Sequence, residues 1–297
     1  MIEALLAGCR FFHFAALTVL FGATLFPLYA GGGKRPAEWD RHIRRIGFAA
    51  LAVAVVSGAG WFAATTAGMN GALAAAGDLS ALKTVLSDTP FGALWTGRAV
   101  LAAALLTVLM AGPQGARPLW PIVLSGLLLA SLALTGHTQA QEGLGRAAHE
   151  SADALHLLAA GAWIGGLVML SATARPVTAP DEPALASVLT GFSGMGYLAV
   201  AVLVFTGLVN SAFMLLGPLA LLPTAYGETL GVKLILFIGM CALAAANRFW
   251  ISPGLVRPGA DPARWTRRLH GHVAGEQALG ALVLLAVGML GTFDPHG

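Results

Sequence analysis

HESADALHLLAAGAWIGGL, residues 149–167, joins two kinds of chemistry in one stretch. From Leu157 onward it is apolar enough to sit in lipid, while its first half carries His149, Glu150, Asp153 and His156. Taken as a helix, it sets a membrane span directly beneath a polar mouth. Two questions follow: whether the whole chain is built for a bilayer, and which other polar residues reach the same depth.

Composition answers the first. Hydrophobic residues make up 57% of the 297 and charged residues 10%, with a mean hydropathy of +0.77. Soluble domains carry about 25% charged residues, so these few cannot clothe a globular surface. The chain reads as an integral membrane protein, and its net charge of +3 bears on orientation rather than on nucleic acid. Cys9 and Cys241 are too few for a disulfide framework and fall in separate apolar runs. The first run, about residues 5–29, exceeds the ~7–15-residue core of a signal peptide. It has only Glu3 ahead of it and no small-residue cleavage site before GGGKRP, residues 31–36, and it reads as a retained span.

A spanning helix needs about 20 mostly apolar residues. Eight stretches qualify, at about 5–29, 44–66, 94–112, 119–137, 153–172, 190–216, 231–250 and 273–293. Pro-, Gly- or charge-rich segments such as AGPQGARP (111–118) and ARPVTAPDEP (174–183) separate them. The expected fold is thus all-α: a polytopic bundle of about eight transmembrane helices forming one membrane domain, 1–297. The segment 67–91 is long enough to hold a short interfacial helix besides. Basic residues concentrate in alternate loops: Lys34, Arg35, Arg41, Arg44 and Arg45 after span one, Arg257, Arg264, Arg267 and Arg268 after span seven, Arg117 and Arg175 between. The positive-inside rule then puts these loops in the cytoplasm and both termini outside. No internal repeat, Walker A loop, GxSxG, HExxH or CxxC is present, which removes the ATP-driven, hydrolase and thioredoxin classes; the chain reads as a non-enzyme.

The eight histidines sort by depth. His42, His270 and His272 fall in basic cytoplasmic segments and read as solvated, and His296 lies in a short tail. His13, His137, His149 and His156 all fall in the outer third of the bilayer, where ionisable groups are costly and mark sites or paths. His149, Asp153 and His156 are spaced four and three and share one helix face. Cys9 stands four before His13, also on one face. Imidazole, carboxylate and thiolate are all metal ligands, with imidazole suiting copper, zinc, iron and nickel and thiolate favouring Cu(I). Asp153 serves either as a ligand or as the group orienting a ligating imidazole. Spacing does not separate a metal ion from haem, since two histidines on facing helices equally suit haem b. Trp163 with Gly161, Gly165 and Gly166 reads as close helix packing. Asn210, Glu276 and Gln277 read as interhelical hydrogen-bonding groups, and Arg98 and Lys233 as headgroup-level cations, either of which could instead balance Asp153 or Glu228. The inner half shows few soft ligands beyond Met169, Met240 and Cys241, so a continuous copper path is not visible.

GHTQAQEG (136–143) running into residues 149–167 resembles the signature of the copper resistance protein D family of bacterial inner-membrane proteins, and CRFFHFAALTVLFGATLFP (9–27) resembles that family's opening span. The resemblance implies about eight spans, a location in the bacterial inner membrane and copper uptake from the periplasm. It also implies work beside a small periplasmic copper-binding protein of the same operon. The expected copper site comprises His13, His137, His149, His156 and Asp153, with Cys9 as a conditional ligand. An acceptor or sensor at the outer face that does not transport is the reading closest to it, and a haem-bearing electron carrier using the same histidines is a further alternative.

Overall fold

Lipid offers no water to backbone N–H and C=O groups, so an apolar segment must satisfy them internally, and the helix does so. The computed structural model describes residues 1–30, 37–112, 119–135, 143–173, 182–214, 224–255 and 261–293. Among them the ordered elements are all helical: α1 (Ile2–Ala30), α2 (Ala37–Met69), α3 (Leu79–Asp88), α4 (Pro90–Met110), α5 (Leu119–Ala130), α6 (Gly143–Ala160), α7 (Gly166–Thr173), α8 (Glu182–Met214), α9 (Ala225–Ala246), α10 (Ser252–Leu255) and α11 (Pro262–Leu290). Two π-helical turns, Gly161–Gly165 and Asn247–Ile251, join α6 to α7 and α9 to α10, and a 3₁₀ segment, Ser131–Thr135, ends α5. Seven of the resulting rods are long and apolar enough to cross a membrane, and Leu119–Thr135 is a shorter apolar helix. The bundle expected from sequence is therefore present, with the fourth span the short one.

Helix limits exceed the apolar runs because caps, not hydropathy, end helices. Asp261 accepts from the amides of Ala263 and Arg264 at 2.9 and 3.3 Å and Pro262 follows as the first helical residue. α11 therefore starts at Pro262 rather than near 273, because Asp satisfies orphan amides and Pro loses nothing there. Thr89 accepts from Gly92 N at 3.0 Å ahead of Pro90, and Thr224 from Gly227 N at 3.1 Å. In the segment 67–91, Asp78 caps α3. The Ser80 hydroxyl and amide hold the exposed Asp78 carboxyl below the ordinary carboxylate range.

α1 runs through the middle of the bundle, in contact with α2, α5, α7, α8, α11 and the π turn at Gly161–Gly165. Glycines make that position available. A Cβ at Gly22 would overlap the backbone of Gly161 and Gly165, and one at Gly165 would overlap the carbonyl of Thr18. Trp163, 2% exposed, is locked in this seam with its ring edge-on to Phe237 at 6.1 Å. The packing reading of residues 161–166 is what the structure has.

Contacts between helix ends give the bundle two distinct poles. The starts of α1, α4, α6 and α9 meet the ends of α2, α8 and α11, as in the seating of Cys9 on Gly60, Arg10 on Gly291 and Leu290 against Tyr226. At the other pole Phe26 meets Trp39 at 5.2 Å and Trp265 packs on Gly254. Arg41, Arg44, Arg45, Arg248, Arg264, Arg267 and Arg268 fall at this second pole. They are called here the histidine end and the arginine end.

Candidate functional site

The histidine end holds two polar clusters, with Arg10 of α1 between them. In the first, His13 is 4% exposed and points at α2 and α4. Its Nδ1 lies 2.9 Å from Ala54 O and 3.2 Å from Ser57 Oγ, and its Nε2 meets a terminal guanidinium nitrogen of Arg98. A carbonyl cannot donate and a guanidinium cannot accept. The imidazole is therefore neutral with its proton on Nδ1, and its Nε2 lone pair is taken by Arg98. Arg98, 4% exposed, also donates to Leu128 O at 3.1 Å and to Ser131 Oγ, groups at the end of α5 and the start of its 3₁₀ extension. Trp61 and Trp95 flank the His13 ring at 5.7 and 5.6 Å between centroids. Arg98 lies over Trp95 and Arg10 over Trp61, at 5.1 and 4.6 Å.

The second cluster belongs to the 149–156 stretch. Thr206 donates to Val202 O at 2.6 Å, so its oxygen accepts from His156 Nδ1 at 2.9 Å. Among the described residues no hydrogen bond to the Nε2 lone pair of His156 is found. His149, 4% exposed, stacks on Phe213 at 5.0 Å and 12°, with its Nδ1 buried and unpartnered. Asp153 accepts from Asn210 Nδ2 at 3.3 Å. Lys233 of α9, His149 and Arg10 lie within electrostatic reach of its carboxylate.

Helical spacing thus carries His149, Asp153 and His156 to one region against α8 and α9, while Cys9 and His13 face α2, Cys9 with its sulfur against Gly60. His137 lies outside the described residues. Among the described residues, no three His, Cys, Asp or Glu side chains are grouped so as to hold a metal ion. The sequence reading missed the role of Arg98, which is a buried partner of His13 rather than a headgroup cation. One signal was available: it stands inside an apolar run, where a cation needs a specific acceptor. Lys233 does face Asp153, and Asn210 does make the interhelical bond expected of it.

Comparison with known proteins places these features. The profile described as Copper resistance protein D-like, N-terminal domain, matches residues 1–147, and that of Copper resistance protein D matches residues 186–290. Copper resistance protein D of Pseudomonas syringae pv. tomato is 32% identical over 100% of this chain and 98% of its own length. The chain belongs to the copper resistance protein D family. It is also similar to the inner membrane protein YebZ of Escherichia coli K12, 28% identical over 96% of this chain and 97% of that relative. The copper transport protein CutJ of Bacillus subtilis 168 is 29% identical over 81% of this chain but only 46% of its own length. No solved structure matches. The likeness to YebZ and the spanning helices make this family member an inner-membrane protein.

Proposed function

We propose that the protein handles copper at its histidine end and admits it from the periplasmic side, with His149, Asp153 and His156 facing the ion. The observation that carries the reading is the likeness, over the whole chain, to a relative named for copper resistance, together with a second named for copper transport. Imidazole is a good copper ligand, and His156 is held by Thr206 with its other nitrogen left for an ion. Asp153 orients the neighbouring imidazole or contributes negative charge, offset by Lys233 and Arg10. Cys9, His13 and His137 complete the proposed set. His13 ligates only after Arg98 leaves its Nε2, so Arg98 acts as a tethered cation in a place that copper would otherwise take. The histidine end is periplasmic in this reading, and a small periplasmic copper-binding protein delivers the ion there.

Copper titrations of the purified protein test the proposal. His156→Ala weakens binding, whereas His42→Ala, whose ring is tied to its own helix at Glu38 O 2.9 Å away, leaves it unchanged. Equal effects of the two substitutions would end the imidazole site. An absorbance spectrum of the same sample decides against copper if it carries a haem Soret band.

A further inference from the structure

A second buried site lies away from the histidine end, on the arginine-end half of α11. Thr266, Leu269, Val273 and Glu276 line its buried face, spaced three, four and three. Glu276 is 1% exposed and accepts from Asn247 Nδ2 at 2.6 Å through Oε1, and the Trp163 indole N–H is near enough to act on the carboxyl as a donor without reaching full hydrogen-bond geometry. Its other oxygen, Oε2, is buried without a partner, and so is Asn247 Oδ1. Among the described residues no Lys, Arg or His nitrogen lies within ion-pair distance of Glu276. A carboxylate without a counter-ion is costly at membrane depth, and each orphaned acceptor adds to that cost.

One proton resolves all three deficits. It neutralises the carboxyl, supplies an O–H on Oε2, and gives Asn247 Oδ1 a donor. We infer that the protonated pair closes as a carboxyl–amide ring, Nδ2–H to Oε1 as observed and Oε2–H to Oδ1 as the new bond. We propose that Glu276 and Asn247 form a proton-binding site whose proton exchanges during the protein's working cycle. Asn247 opens one π turn and Trp163 sits inside the other; such turns occur mostly as single bulges, frequently at functional sites. Buried and unpartnered polar atoms continue from the pair toward the start of α11: His272 Nδ1 and Thr266 Oγ1, about 6 and 15 Å along the axis at 1.5 Å per residue.

The other groups around the pair do not supply a counter-charge. Cys241 of α9 is within electrostatic reach, and Arg248 follows Asn247 in sequence. From α7, Ser171 accepts from Gln277 at 2.9 Å; from α1, Tyr29 lies against Gly166 and Arg10 against Gly291. Lys233 of α9 faces Asp153. That the proton is exchanged for copper rests on the copper reading above; the proton site itself does not.

Glu276→Gln tests the site, because glutamine reproduces both hydrogen bonds of the protonated pair. In the purified protein at neutral pH, E276Q keeps or raises the Tm and removes an infrared carbonyl stretch of a protonated carboxyl. In proteoliposomes, E276Q keeps copper binding at the histidine end but loses the pH dependence of copper uptake. A fall in Tm with no loss of the protonated-carboxyl band would show that Glu276 is ionised and overturn the site. Wild-type protein that shows the band yet moves no copper would remove the copper reading while leaving the proton site supported.

Discussion

His13 shows how a residue's type and its availability come apart. By sequence it is an imidazole at the right depth. In the fold both ring nitrogens are engaged, by Ala54 O on one side and Arg98 on the other. That arrangement makes His13 the acceptor that lets a buried guanidinium exist. His13→Ala leaves Arg98 with an unmet donor, and the expected loss is about 1–3 kcal/mol, read as a lower Tm in detergent. His13→Gln, which retains an acceptor on a shorter reach, loses less. Identical Tm values for H13A and wild type would show that the Arg98 contact carries no stabilisation.

At the scale of elements, the seam between α1 and the 161–165 turn decides whether the bundle closes. Helices in lipid associate by packing rather than by a hydrophobic drive, so small residues at crossings matter most. Gly22→Ala puts a Cβ into the backbone of Gly161 and Gly165, whereas nothing lies within 4 Å of a Cβ at Gly8. G22A should cost at least the 1–3 kcal/mol typical of overpacking, about that much or more since backbone cannot swing aside, and G8A should be neutral. Thermal unfolding of the two in the same detergent checks this. The contrast matters because the two glycines sit on the same helix and look alike in composition.

Across the whole molecule, the poles carry unlike charge chemistry. The start of α2 and the start of α11, with Arg44 and Arg267, lie at one end, and the positive-inside rule predicts that this end faces the cytoplasm. Reporter fusions at Arg44 and Arg267 are expected to read cytoplasmic, and fusions in α3 and after Gly297 periplasmic. A cytoplasmic signal from α3 would invert the assignment and put the histidine cluster on the wrong side for periplasmic copper.

Sequence alone determined the membrane class, the helices and the shared face of His149, Asp153 and His156, because these follow from hydropathy and from the 3.6-residue period, both local properties. Helix limits were legible only to within the apolar runs, since Asp261 or Thr224 as a cap is recognised by its hydrogen bonds, not by hydropathy. Which histidines meet was decided by tertiary structure. His13 and His156 lie at similar depth, yet α1 turns one toward α2 and α4 while α6 turns the other toward α8, and rotation about a helix axis is set by what packs against it. The same holds for Glu276, which by sequence is one polar residue in a helix. Only the packing of α9 against α11, and the Trp163 turn against both, surrounds its carboxylate with an amide, an indole and, among the described residues, no cation.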